Sequence, residues 1–179
     1  VVVISGSTTG TNGLGRGHDY GVDQLVGTEN AGEEFIFIRG EAPSFYNDTE
    51  NIVLVPLNSG TTYSVNGGAS IPIAGAYAVI EGEFYNSDGN MHVTTSGLVM
   101  AYQGIGGLSP NPSNYEPNQG MFVVPALSCN SKGGINNIPY INRIGNNSHN
   151  GGIGIVAEKG VDVLLNGTIL TNPQNTYSP

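Results

Sequence analysis

Apolar residues recur at every second position through most of this chain, and that periodicity confines it to β-structure. Glu34-Phe35-Ile36-Phe37-Ile38-Arg39, Asn51-Ile52-Val53-Leu54-Val55, Tyr77-Ala78-Val79-Ile80, Leu98-Val99-Met100-Ala101-Tyr102, Met121-Phe122-Val123-Val124 and Gly152-Ile153-Gly154-Ile155-Val156 read as strands. Each is β-branched or aromatic and bounded by Gly, Pro, Asn or Asp. No window carries the i, i+3, i+4, i+7 apolar stripe of an amphipathic helix. Asn66-Gly67, Asp88-Gly89, Asn150-Gly151 and Asn166-Gly167 are each expected to supply a type I′ hairpin turn, whose two central residues need positive φ. The expected fold is all-β: an antiparallel β-sandwich or flattened barrel with long loops.

Composition narrows the function. With 28 glycines, 10 prolines and 11% charged residues, the chain lacks the Ala, Leu, Glu and Lys density of a coiled coil or helical bundle. Five basic residues against fourteen acidic ones give a net charge of −9. That argues against a nucleic-acid or anionic-lipid surface. No apolar run approaches the roughly 20 residues of a membrane-spanning helix. The single cysteine, Cys129, excludes an internal disulfide and a CxxC metal site. It follows a buried strand and reads as a small core side chain. The ends, Val1-Val2-Val3-Ile4 and Thr176-Tyr177-Ser178-Pro179, read as cut. The expectation is one β-rich binding domain, residues 1–179, excised from a larger surface protein.

A weak repeat is present. Ile52–Gly67 (IVLVPLNSGTTYSVNG) and Gly152–Gly167 (GIGIVAEKGVDVLLNG) align without a gap, residue n on residue n + 100. Each gives an apolar strand, a turn at Gly60 or Gly160, a second strand and Asn-Gly. Two readings stay open: convergent hairpins, or two duplicated β units. Three stretches are irregular: Ser5–Gly21, Gly104–Gly120 and Ser128–Asn150. The middle one, GIGGLSPNPSNYEPNQG, has the length and composition of a functional or mobile loop.

Four chemistries merit weighing. Calcium takes several oxygen ligands, and Asp19 with Asp23 in HDYGVD is the candidate site. Asp48 and Glu50 in NDTEN, and Asn86, Asp88 and Asn90 in NSDGN, are further oxygen-rich groups, the last also readable as a plain turn. Glycosidase chemistry needs two carboxyls across a cleft. Glu81 and Glu83 in IEGEF are expected on one sheet face, although nothing nearby supplies a pocket to raise one pKa. His18, His92 and His149 lack the short spacing of a zinc site. Sugar or polymer binding would stack a ring on tyrosine and fix hydroxyls with Asn and Asp. Tyr46, Tyr85, Tyr115 and Tyr177 fall in turn-rich segments suited to that role, whereas Tyr63, Tyr77, Tyr102 and Tyr140 read as core or sheet edge. The candidate ligand contacts are Asn114, Tyr115, Glu116 and Asn118.

Several blocks together carry a resemblance: GHDYGVDQLVG (17–27), EEFIFIRGEA (33–42), NIVLVPLNSGTTYSVNGG (51–68), NSDGNMHVTTSGLVMAYQGIGG (86–107), NQGMFVVPALSC (118–129), NNIPYINRIG (136–145) and GGIGIVAEKGVDVLLNG (151–167). In this order they resemble the bacterial branch of the IgG-Fc-binding-protein N-terminal domain family. His18 departs from the basic residue expected before Asp-Tyr-Gly. The resemblance implies an extracellular, non-catalytic β-rich module of large secreted or surface proteins of Bacteroidota-type bacteria. It implies adhesion or matrix-type binding, and neighbouring domains of the same long chain as partners. It transfers no catalytic residue. The expected function is an adhesion or ligand-binding module for glycan or another surface polymer. A calcium-stiffened spacer is the alternative, and a polysaccharide- or peptide-acting enzyme using Glu81 and Glu83 or Cys129 is a third.

Overall fold

The computed structural model describes residues 3–10, 19–39, 50–105, 120–127, 143–144, 146–148, 154–157 and 160–170. The chain forms two compact units, Val1–Leu127 and Ser128–Pro179. The described residues are all-β apart from two short 3-10 turns, Thr28–Asn30 and Gly82–Phe84.

In the first unit, β1 (Val3–Gly10) and β2 (Asp19–Leu25) form an antiparallel pair. A second, seven-stranded sheet contains β3 (Gly32–Ile38), β4 (Glu50–Pro56), β5 (Thr62–Val65), β6 (Ile71–Pro72), β7 (Ala78–Glu81), β8 (Asn90–Ile105) and β9 (Gly120–Val124). Strand β8 organises it. Its first half pairs with β3 (Phe35↔Val93) and β5 (Val65↔Val93), and its second half with β4 (Leu54↔Ala101) and β9 (Ala101↔Val124). One long strand thus serves two sets of neighbours, and the antiparallel sheet curls around it. The two sets meet on their inner faces, since the Gln103 side chain, opposite β4, bonds the Ile38 carbonyl at the end of β3.

Side chains alternate across a strand, and the inner face collects the apolar set. Phe35 and Phe37 of β3, Ile52 and Leu54 of β4, Ile80 of β7, and Met91, Val93, Val99 and Ala101 of β8 are all buried. The Phe35 and Phe37 rings stack with centroids 6.1 Å apart. Fully burying a side chain of this size contributes about 1.5–3 kcal/mol, so these rows hold the sheet in its curl.

The strands expected at 34–39, 51–55, 77–80, 98–102 and 121–124 all form, with ends shifted by a few residues. The turns divide. Asn66 and Gly67 have φ of 50° and 71°, and Gly68 N–H donates to the Val65 carbonyl at 2.8 Å, as a type I′ turn requires. Asp88-Gly89 is not of that type, because only Gly89 has positive φ. The turn there begins at Asn86, whose carbonyl accepts from Gly89 N–H at 3.0 Å. The Asn86 side-chain oxygen accepts from the N–H groups of Asp88 and Asn90, both at 2.9 Å. That local side-chain bonding selects a turn with a glycine bulge over the mirror-image one. Asn150-Gly151 lies outside the described residues.

In the second unit, β10 (Arg143–Ile144) pairs with β11 (Asn147–Ser148), and β12 (Leu164–Leu165) with β13 (Thr168–Ile169). The Asn166-Gly167 turn between β12 and β13 has φ of 50° and 81°. The expected strand at 152–156 does not form over residues 154–156, which are exposed and have no ladder partner among the described residues. Glycine at alternate positions leaves that stretch little side chain to bury.

Candidate functional site

At one end of the curled sheet the inward positions stop being apolar. The alternation Phe35, Phe37 reaches Arg39; Leu54, Ile52 reaches Glu50; and Val99, Ala101 reaches Gln103. Glu50 is 2% exposed and Gln103 4%. Tyr85 joins them from outside the ladders. The 3-10 turn after β7 turns the chain inward, Tyr85 N–H donates to the Gly82 carbonyl, and the ring ends 7% exposed.

These groups lock two sides of the sheet together. Gln103 Nε2 donates to the Ile38 carbonyl at 2.7 Å, and Arg39 Nη2 donates to the Gly82 carbonyl at 3.0 Å. The Arg39 guanidinium lies over the Tyr85 ring, 5.1 Å from its centroid, within cation–π range. The Tyr85 hydroxyl faces the Glu50 carboxylate and the Gln103 amide. Burial, and then the Glu50 charge, push the hydroxyl well above the ordinary tyrosine range, against opposing pulls from Arg39 and Gln103.

The row marks where two long connections leave the sheet. Glu50 pairs with Ile105, and Ile105 with Gly120. Segment 40–49 joins Arg39 to Glu50, and segment 106–119 joins Ile105 to Gly120. A buried, charged and hydrogen-bonded row fixes the points from which both segments start. Beside it, His92 Nε2 lies 2.9 Å from Glu34 Oε1, and Asn66 bridges the His92 N–H (2.9 Å) to the Phe84 carbonyl (2.7 Å).

The ligand contacts expected from sequence, Asn114, Tyr115, Glu116 and Asn118, lie outside the described residues. So do Cys129, His18, His149, Asp48, Tyr46, Tyr140 and Tyr177. Asp19 and Asp23 fall on β2, opposite Gly10 and Ser5 of β1. Among the described residues no three His, Cys, Asp or Glu groups gather as a metal site would need. Three readings are corrected. Glu81 closes β7 while Glu83 sits in the 3-10 turn, so they do not share a strand face. Tyr85 is buried in the polar row instead of presented for stacking; Tyr77, read as core or sheet edge, is 60% exposed and precedes β7, the last strand in the sheet order. Glu50, grouped with Asp48 as an oxygen ligand, is buried in the polar row. Arg39 and Gln103 were not singled out from sequence. The signal was there in the alternation itself, which places charge and amide at inward register.

The described strands thus end in a polar row, at the points where the chain continues into segments 40–49 and 106–119. The sequence profile of the family described as IgGFc binding protein matches residues 1–179, and the chain belongs to that family. It is a family of binding proteins, not of enzymes. No curated protein and no solved structure matches the chain. Among the described residues no helix is long and apolar enough to cross a membrane.

The polar row has a pH signature. Below about pH 10 the Tyr85 hydroxyl is neutral in folded and unfolded chains alike, and its contribution to stability is complete. Above that, the unfolded chain loses the proton while the folded chain keeps it. Stability then falls by about 1.4 kcal/mol per pH unit from this group. Urea midpoints measured from pH 9 to 11.5 should therefore drop more steeply for the native chain than for Tyr85→Phe. Equal slopes would remove the buried hydroxyl from the account.

Proposed function

We propose that this domain is an extracellular adhesion or ligand-binding module that recognises glycan or another surface polymer through segment 106–119. One observation carries the reading. Segment 106–119 starts and ends on hydrogen-bonded partners, Ile105 and Gly120, in the register row that also contains buried Glu50. A segment rich in Pro, Asn and Gly, held at both ends by a rigid sheet, suits recognition of hydroxyl-rich ligands. Membership of a binding-protein family supports the same reading. Tyr115 would stack on a sugar face, and Asn114, Glu116 and Asn118 would fix hydroxyl geometry. Calcium at Asp19 and Asp23 is a separate proposal.

A glycan-array screen of the whole chain, run with calcium and with a chelator, tests both. The expected result is a saturable hit that survives chelation, which assigns recognition to the 106–119 segment. A hit lost in chelator would transfer it to a calcium site that includes Asp19 and Asp23. Absence of any hit would overturn the glycan reading.

A further inference from the structure

The repeat seen in the sequence extends to the backbone. Positive φ recurs at equivalent positions: 80° at Gly60 and 90° at Gly160, 50° at both Asn66 and Asn166, 71° at Gly67 and 81° at Gly167. In the first copy a neighbour covers the strand before the Asn-Gly turn. Tyr63, Ser64 and Val65 pair with Thr95, Thr94 and Val93 of β8, and Asn66 N–H donates to the His92 carbonyl at 2.8 Å. The Asn66 side-chain oxygen in turn accepts the His92 N–H at 2.9 Å.

The second copy stands differently. Leu164 and Leu165 pair with Ile169 and Thr168 of β13 and with no other strand among the described residues. Leu170 N–H donates to the Val163 carbonyl at 2.8 Å. In an antiparallel ladder such bonds alternate, so the N–H and C=O of Leu164 point away from β13, towards the open edge. Ser64, its counterpart, lies opposite Thr94 on the edge that β8 covers. The hairpin is also apolar and exposed. Val161, Leu164, Leu165, Ile169 and Leu170 are all exposed, Leu164 to 59%. A two-stranded hairpin of this kind is only marginally stable in water.

We infer that the Leu164 edge of β12 is a docking site for one extended, uncharged β-strand of another polypeptide, added antiparallel by β-augmentation. The first copy indicates its chemistry: uncharged β-branched residues, as in Val93-Thr94-Thr95, with the strand end held by Asn166 as Asn66 holds His92. Asp162 is the one charged residue between 160 and 170. An uncharged strand therefore fits, and an acidic one is disfavoured.

Hydrogen exchange by NMR on the whole chain tests this, using a synthetic peptide with the sequence of residues 90–97 as the incoming strand. The expected result is saturable slowing of the Leu164 amide by about tenfold, with the Leu165 amide little changed and a scrambled peptide inert. Asn166→Ala should raise the peptide concentration needed while leaving exchange in β5 unaltered. Three results would overturn the inference. The Leu164 amide could be slow without peptide and dependent on protein concentration, meaning that a second copy covers the edge. It could be slow at every concentration, meaning that the chain covers it itself. It could be unmoved by the peptide, or moved equally by the scrambled one.

Discussion

Replacing Phe35 by Ala is expected to lower the unfolding free energy by about 4 kcal/mol, read as a shift of the urea midpoint at unchanged slope. Phe35 is fully buried, stacks on Phe37 and sits opposite Val93 in the first half of β8. Its deletion removes the transfer free energy of a large ring and leaves a cavity. That cavity is walled by strands from both halves of the sheet, so collapse around it is restricted. Such a loss is a large share of the 5–15 kcal/mol that holds an ordinary domain folded. A shift below about 1 kcal/mol would mean that the inner face does not form the core described here.

Arg39→Met is expected to cost about 3 kcal/mol, although the position is only half-buried. The substitution keeps the aliphatic stem. It removes the hydrogen bond to the Gly82 carbonyl and the cation over the Tyr85 ring. It also removes the positive charge that opposes the Glu50 carboxylate at the Tyr85 hydroxyl. Glu50 would remain buried with less compensation, which is the expensive outcome for a charge out of water. The double variant Arg39→Met, Glu50→Leu should recover part of the loss, because an apolar inward residue continues the Ile52 and Leu54 row. A double variant no more stable than the single one would show that the two charges do not act together.

The parts of the fold that were legible in the sequence are those governed by local alternation. Phe35-Ile36-Phe37 and Ile52-Val53-Leu54 announce strands with one buried face, and the structure supplies that face. Asn66-Gly67 and Asn166-Gly167 announce their turns because both residues tolerate positive φ. Asp88-Gly89 misled because the Asn86 side chain, two residues earlier, chooses the turn. The union of β8 into one strand from Asn90 to Ile105 was not legible, since its middle, Thr94-Thr95-Ser96-Gly97, has no apolar alternation. Its pairing with four neighbours is what carries it through.

The site was legible in a different sense. Position in a turn or a strand does not sort the tyrosines correctly at Tyr85, because burial depends on where a turn folds back. The better signal was a charge at inward register. Arg39 and Glu50 flank segment 40–49, and Gln103 precedes segment 106–119. Each breaks an apolar row at the point where a connection leaves the sheet.

The most direct test of the binding reading is to compare the native chain with Tyr115→Ala on one glycan array, with thermal melts of both. The account predicts loss of the glycan signal in Tyr115→Ala at an unchanged melting temperature. Full retention of binding by Tyr115→Ala, or no glycan bound by the native chain, would contradict it.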